Sequence, residues 1–325
     1  MIDFIFCYNR IEGRFLFFFF LMLEIAMKKL GLATAVLFAM TGAHAYQVEV
    51  QGQTEFLDTT TNNANFTGAV EGTYYLKNVD ASKGPLAEAA FLNQASSASL
   101  GYSFEKYNQQ DGLKYQAGTF GAKGEAYIPT PYVPVYTSAT YNHTDLDGKN
   151  GYKDDNGDRY SLEVGAMLLP NFLMAVGYTS AVNQFALDNF GVINNGIYAA
   201  ANQSTVIKDE QDAVTARAKY VGNIDGTNMA LGFEAAGTFA HSNQYGLKTD
   251  LYLNPKLSVG ATFIGNDNNS RIKDVDLGQF KQAWGGNVNY FITPAVAVGA
   301  SYIKADVVGA KNDTQTIGVD AKFRF

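Results

Sequence analysis

The chain has 325 residues, with 24 Lys and Arg against 31 Asp and Glu, a formal net charge of −7 and one cysteine. The acidic balance argues against nucleic acid as a partner, because nucleic-acid binding depends on clustered positive charge. A single cysteine, Cys7, leaves no partner for a disulfide bond within the chain.

The first predicted element is a secretory signal peptide at residues 27–45. Lys28 and Lys29 supply a positive start, Leu30–Met40 is an apolar core, and Ala43-His44-Ala45 has the small-x-small pattern of a cleavage site. These three parts in this order are typical of export signals. We therefore expect the mature chain to begin directly after the cleavage site.

Residues 1–26 precede the predicted signal peptide and do not match the pattern of an export signal. Their apolar run, Phe15–Leu23, is shorter than the roughly 20 residues that a membrane-spanning helix needs. We interpret this segment as an upstream extension of the reading frame. A membrane anchor is the alternative.

The remaining residues, 46–325, alternate between apolar and polar side chains. At the start of this region Tyr46, Val48 and Val50 alternate with Gln47 and Glu49. Because successive side chains of a strand point to opposite faces, this pattern predicts strands with one apolar face. The predicted strands span about 46–57, 66–78, 94–106, 113–128, 132–143, 159–169, 172–183, 212–222, 228–240, 245–253, 256–264, 278–290, 295–304 and 313–325.

The connections between these strands alternate in length. Short turns contain proline, as in "IPTPYV", whereas others are long and polar, as in "TDLDGKNGYKDDNGDR". Short turns at one end and long loops at the other are typical of an outer-membrane barrel. A soluble β-sandwich is the competing interpretation. Its strands are usually about 5–6 residues long, however, which is shorter than the strands predicted here. We therefore predict an all-β fold, a transmembrane antiparallel up-and-down β-barrel of about 14 strands.

Two local features of the strands need separate predictions. The alternation weakens between Leu113 and Phe120, where a bulge or register change is expected. The chain ends with "AKFRF", in which Phe323 and Phe325 alternate with basic residues. We expect this closing strand to pair with the first strand and to place Phe325 in an aromatic girdle at the membrane interface.

Several stretches also carry a family likeness: "MKKLGLATAVLFAMTGAHAYQVEVQGQ", "YYLKNVDASKGPLAEAAFLNQASS", "NGDRY", "VTARAKYVGNIDGTNMA", "YFITPAVAVGASY" and "AKFRF". They resemble the Acinetobacter outer-membrane porin family linked to carbapenem entry and virulence, over residues Met27 to Phe325. The resemblance implies an outer-membrane channel for small polar solutes. It also implies that the terminal Phe325 is the signal recognised by the barrel-assembly machinery.

Charged residues on the predicted lumen face are candidates for lining a pore. They are Glu49, Glu71, Glu105, Lys123, Glu125, Glu163, Arg217, Lys219, Glu234, Lys248, Asp250, Lys281, Asp320, Lys322 and Arg324. Acids dominate the first six strands and bases the last seven, which predicts an acidic wall facing a basic wall and a field that orients zwitterionic solutes. The alternative is that these charges pair and close the barrel, since 14 strands fall between filled and open barrels.

Two segments are candidates for narrowing the lumen. The loop Asn183–Glu210 contains apolar residues that are unusual in a solvated loop. We expect this loop either to fold into the lumen as a constriction or to pack outside the barrel. The segment Asp80–Phe91 predicts a short helix with Pro85 near its start. We expect this helix either to plug the barrel from the periplasmic side or to lie on the surface.

The predicted function is passive diffusion of water and small polar or zwitterionic solutes through the outer membrane, without a cofactor. The protein would contact outer-membrane lipid and lipopolysaccharide. The alternative is a closed or plugged barrel whose extracellular loops bind host or envelope partners. An enzyme is not expected, because the mature region has no metal-ligand cluster, phosphate loop or thiol nucleophile. A barrel hydrolase using His143 or His241 is the weakest alternative.

Overall fold

The computed structural model describes residues 45–58, 65–108, 114–149, 153–182, 188–190, 211–240, 243–267, 280–307 and 314–325. The predicted extension, all but the last residue of the predicted signal peptide, and His241 lie outside these ranges, so those assignments stay predictions. Within the described ranges, no helix is long and apolar enough to cross a membrane.

Fourteen antiparallel strands form one closed barrel. Each strand pairs with the next in sequence, and the last strand pairs with the first. The predicted fold class is therefore confirmed. The strands are β1 (Ala45–Asp58), β2 (Asn65–Asp80), β3 (Ser97–Asn108), β4 (Lys114–Ile128), β5 (Val135–Lys149), β6 (Asp155–Leu169), β7 (Phe172–Val182), β8 (Gln211–Asn223), β9 (Ala230–Phe239), β10 (Asn243–Asn254), β11 (Leu257–Asp267), β12 (Phe280–Thr293), β13 (Val296–Val307) and β14 (Thr314–Arg324).

Alternation along each strand separates an outer apolar face from a lumen face. On β12, Trp284, Val288 and Tyr290 point outward and are exposed, whereas Ala283 and Phe291 are buried inside. On β7 the outward Val176 is 63% exposed. An exposed apolar band around a closed barrel is the surface that lipid covers.

The predicted irregularity at Leu113–Phe120 is wrong for the part that the structure describes. β4 pairs with β3 and with β5 without a register shift. The alternation is weak there because Ala117 and Gly118 have little or no side chain, while the backbone stays regular. The register shifts lie elsewhere, at Tyr46/Val48, Met167/Leu169, Tyr252/Asn254, Phe280/Gln282 and Phe291/Thr293.

The seam between β1 and β14 closes the barrel. Phe325 follows β14, and its N–H donates to the carbonyl of Val48 at 2.8 Å. The Gln47 N–H donates to the carbonyl of Phe325 at 2.7 Å. The predicted pairing of the first and last strands is confirmed, and the Phe325 side chain is half exposed at the outer edge of this seam.

Candidate functional site

One segment between β2 and β3, residues 81–96, is called the plug below. A 3₁₀ turn, Leu86–Glu88, continues into the short helix α1, Ala89–Leu92. Pro85 precedes the turn with φ −59°, the value that a proline ring favours. Gly84 has φ +117°, a conformation that suits glycine, and so allows the chain to reverse before the helix. The predicted short helix after Pro85 is confirmed.

The plug buries apolar side chains against strands all around the barrel. Leu86, Ala89 and Phe91 are buried and belong to three separate clusters with wall residues. The wall members are Phe291 and Ala297 with Leu86, Tyr46, Tyr75 and Val79 with Ala89, and Tyr136, Met167, Leu173, Ala175, Val221, Ala230 and Tyr252 with Phe91. Because these strands lie on all sides of the barrel, the plug crosses the lumen and is not a surface helix.

Hydrogen bonds from the wall fix the plug backbone. The Arg324 Nη1 donates to the carbonyl of Leu86 at 2.9 Å. The Leu86 N–H donates to the carbonyl of Pro255, in the turn between β10 and β11, at 2.8 Å. These two bonds tie Leu86 of the plug to β14 on one side and to the β10–β11 turn on the other. They satisfy backbone groups that would be costly to bury without partners.

Glu88 anchors the plug electrostatically. Its Oε2 lies 2.9 Å from the Lys219 Nζ, and its Oε1 accepts a hydrogen bond of 2.7 Å from the Tyr252 hydroxyl. Burial alone would raise the pKa of the Glu88 carboxyl, but the charge of Lys219 and the hydrogen bonds from Lys219 and Tyr252 hold that pKa below its usual value. Glu88 is therefore ionised at neutral pH.

A second segment enters the lumen from the loop between β7 and β8. Asp188, Asn189 and Phe190 are the described residues of that loop, and Asn189 with Phe190 is called the latch below. Asn189 is completely buried. Its Nδ2 donates to the carbonyl of Thr119 at 3.1 Å, and its Oδ1 accepts a hydrogen bond from the Ser103 hydroxyl.

The latch also fits a depression in the wall. The Phe190 ring lies beside Gly101 and Gly121, which are paired in register on β3 and β4. A Cβ atom at Gly121 would lie 2.8 Å from the Phe190 ring and would also clash with the Asn142 Oδ1. The two glycines thus make room for the ring. Of the predicted constriction loop, these residues lie inside the lumen, and the rest falls outside the described residues.

A chamber of about 580 Å³ lies inside the barrel, lined by parts of the plug, by Asp188 and Phe190, and by the strands. The predicted residues that line it are Glu49, Glu71, Lys123, Glu125, Glu163, Arg217, Lys219, Glu234, Lys248, Asp250, Asp320, Lys322 and Arg324. Glu105 does not line it and accepts a hydrogen bond from the Tyr115 hydroxyl. Lys281 does not line it either. It is exposed, beside the register shift at Phe280/Gln282.

Neutral polar side chains complete the chamber wall. They include Gln51, Gln53, Thr73, Ser99 and Asn287. The sequence prediction named only charged residues and so missed them. Like the charged residues, they occupy every second position along their strands, the positions that face the lumen. This alternation would have identified them.

Many charged residues of the chamber form ion pairs with one another. The Arg217 guanidinium binds the Glu163 carboxylate through two hydrogen bonds, of 3.0 Å from Nε and 2.6 Å from Nη2. The same Nη2 donates to the Tyr136 hydroxyl, which donates to Glu125 at 2.6 Å. Arg217 Nη1 lies 3.5 Å from Glu234. Such a network fixes the orientation of every member.

The predicted acidic and basic walls meet at the seam, and an acid interrupts the basic side. Barrel closure sets β1 beside β14, so Glu49 contacts Lys322 at 3.1 Å and Arg324 at 2.7 Å. On the basic side, Glu234 on β9 is in register with Lys219 on β8 and Lys248 on β10. At these two places opposite charges therefore lie on neighbouring strands.

His143 lies on the outer face of β5, away from the lumen. Its Nδ1 is 2.8 Å from Asp158 Oδ1, and its Nε2 is 3.4 Å from Asp145 Oδ1. The Tyr141 hydroxyl donates to the same Asp158 oxygen at 2.7 Å. This histidine is bound into a surface cluster and does not face the chamber.

Comparisons with known proteins agree with this architecture. A family profile described as putative general bacterial porin matches residues 22–325. The crystal structure of the Acinetobacter baumannii outer membrane protein Omp33 shares 52% identity over 87% of this chain and 99% of that chain, with a TM-score of 0.61. The structure of the TodX deltaS2S3 mutant, a monoaromatic hydrocarbon channel, covers 87% of this chain and 91% of that chain at 8% identity and a TM-score of 0.50, a likeness of fold alone. No curated protein matches the chain.

Proposed function

Because the chain belongs to the family of putative general bacterial porins, we propose that it is a passive diffusion channel for water and small polar or zwitterionic solutes. Family membership and the closed barrel place the protein in the outer membrane and support a channel role rather than a catalytic one. The chamber is the part of the channel in which solutes are selected.

The observation that carries this proposal is the charge pattern of the chamber. Lys219, Glu234 and Lys248 alternate in sign on three neighbouring strands. On such a wall a zwitterion finds an opposite charge for each of its own charges. A solute with one net charge instead finds, beside every opposite charge, a charge of its own sign that repels it. The residues that line the chamber are proposed as the pore-lining set.

The assembly and envelope partners belong to the same proposal. Phe325 ends the closing strand at the seam and is proposed as the residue that the barrel-assembly machinery recognises. The outer apolar face would contact outer-membrane lipid, and the long loops would contact lipopolysaccharide.

The test is conductance of the purified chain Tyr46–Phe325 in planar bilayers, combined with swelling of liposomes in solutes that differ in size or in charge. We expect glycerol and alanine to enter faster than a trisaccharide, and alanine faster than lactate, which has a net charge. Equal rates for alanine and lactate would remove the charge argument.

A second candidate function is favoured by the plug and the latch, which both occupy the lumen. In this candidate the barrel stays closed and acts through extracellular loops that bind host or envelope partners. Absence of conductance and of swelling, with the barrel shown to be folded, would favour it over diffusion.

A further inference from the structure

The Glu88 carboxylate occupies a binding site that the barrel wall provides. Lys219 on β8 contacts one carboxylate oxygen, and Tyr252 on β10 donates to the other. The Lys219 Nζ also lies 4.9 Å from the centre of the Phe91 ring. An ammonium and a hydroxyl that engage both oxygens of one carboxylate form a specific, charge-assisted site.

Both wall residues have contacts other than Glu88 that hold them in position. Lys219 is held by β8 and lies 4.0 Å from the Glu234 carboxylate. The Tyr252 ring is buried in the apolar cluster that includes Leu173. Both residues line the chamber. If Glu88 withdrew, the Tyr252 hydroxyl would lose its carboxylate partner, and the Lys219 ammonium would keep only the more distant Glu234.

We propose that Lys219 and Tyr252 form a carboxylate-binding site of the chamber, filled in this structure by the chain's own Glu88, and that a small carboxylate solute displaces Glu88 and loosens the plug. This inference rests on the proposed function and names one solute class for it. A neutral solute cannot compete, because it lacks the charge that pairs with Lys219.

A tethered group competes at high effective concentration. For a short connection that concentration is on the order of millimolar or more, so a free carboxylate is expected to act on the protein at roughly tens of millimolar. Removal of the Glu88 carboxylate removes this competition and should tighten binding of a free carboxylate about tenfold.

Binding is measured first, by saturation-transfer NMR of the folded chain in detergent at constant ionic strength. The probes are acetate and acetamide, which have nearly the same shape but differ in charge. We expect acetate to bind the Glu88→Ala protein about tenfold more tightly than the wild type. Lys219→Met in the Glu88→Ala background should abolish binding, and Tyr252→Phe, which keeps the ring, should weaken it about tenfold.

Displacement of the plug is measured with a cysteine reporter. The chain has one cysteine, Cys7, which precedes the predicted mature region, so Ala89→Cys introduces a single thiol. Ala89 lies on the plug, is 1% exposed and packs against Tyr46, Tyr75 and Val79 of the wall. Acetate should accelerate modification of this thiol by a maleimide severalfold, and acetamide should not.

The outcomes separate the two proposals. Acetate binding that is no tighter in Glu88→Ala, or that survives both wall substitutions, overturns the carboxylate site. Equal acceleration of labelling by acetate and acetamide, or binding without acceleration, overturns displacement of the plug. A protein that binds acetate as expected but conducts nothing would instead refute the diffusion channel and leave the site intact.

Discussion

The plug and the latch both lie inside the barrel, but the wall holds them by different physical means. The plug buries Leu86, Ala89 and Phe91 in three clusters and adds an ion pair through Glu88. Full burial of a Leu or Phe side chain contributes about 1.5–3 kcal/mol. The latch has one ring, that of Phe190, and its hydrogen bonds to the wall involve only neutral groups.

This difference indicates which obstruction moves more easily. Each neutral hydrogen bond contributes only about 0.5–1.5 kcal/mol net, so the latch should leave the wall at lower cost than the plug. The plug, unlike the latch, is also held by an ion pair, between Glu88 and Lys219. Removal of the plug, loss of the latch and protonation of Glu88 should therefore have separable effects on conductance.

Removal of the plug should have the largest effect. We expect replacement of Ser82–Gln94 by a short glycine-serine linker to change a small conductance into a steady, large one, because the linker cannot cross the lumen. Single-channel recording measures this change, and heat-modifiable migration on gels checks that the barrel is folded. A folded barrel with unchanged conductance would show that the plug is not the obstruction.

Loss of the Phe190 ring should have the next largest effect. Phe190→Ala removes a buried side chain and should cost the latched state about 2 kcal/mol, which corresponds to about a 30-fold change in the ratio of latched to open states. The open probability in single-channel records measures it. The control is Phe120→Ala, because Phe120 lies on β4 beside Gly121 but points outward. Equal changes in both variants would contradict the role of the latch.

The glycine depression offers a more specific comparison. Gly121→Ala places a Cβ against the Phe190 ring and Asn142, whereas Gly124→Ala on the same strand meets nothing within 4 Å. Overpacking costs about 1–3 kcal/mol, so Gly121→Ala should raise open probability roughly tenfold. Gly124→Ala should behave as the wild type. If the two variants behave alike, the ring does not occupy the depression when the channel is closed.

The smallest effect should be a pH dependence that belongs to the plug. The pKa of Glu88 in the folded protein is below its usual value, so its stabilising contribution is complete above the ordinary glutamate pKa and is lost as pH falls through the lowered pKa. Conductance should be constant from about pH 8 to 5 and should rise at lower pH. The rise follows because protonation of Glu88 lowers the stability of the plugged state by about 1 kcal/mol.

Other titratable groups near Glu88 require a control for this pH effect. Lys219 on β8, Glu234 on β9, and Lys248 and Tyr252 on β10 face it from the wall. Glu88→Gln should abolish the acid step, whereas Glu234→Gln should leave a step in place. A step of unchanged size and midpoint in Glu88→Gln would assign the effect to another carboxylate.

The strands and the barrel were predictable from the sequence because their information is local. Alternation of apolar and polar residues follows from the geometry of one strand, and all fourteen predicted strands overlap the observed ones. The same parity identified most of the charged residues that line the chamber, and Pro85 marked the helix of the plug.

Tertiary structure alone decided which charges pair and which segments enter the lumen. Glu49 meets Arg324 because the barrel closes, a contact between residues 275 positions apart. Glu88 meets Lys219 only when the plug crosses the lumen. Periodicity specifies which face of a strand a side chain occupies, but pairing across the lumen depends on closure and on loop placement, which involve residues distant in sequence.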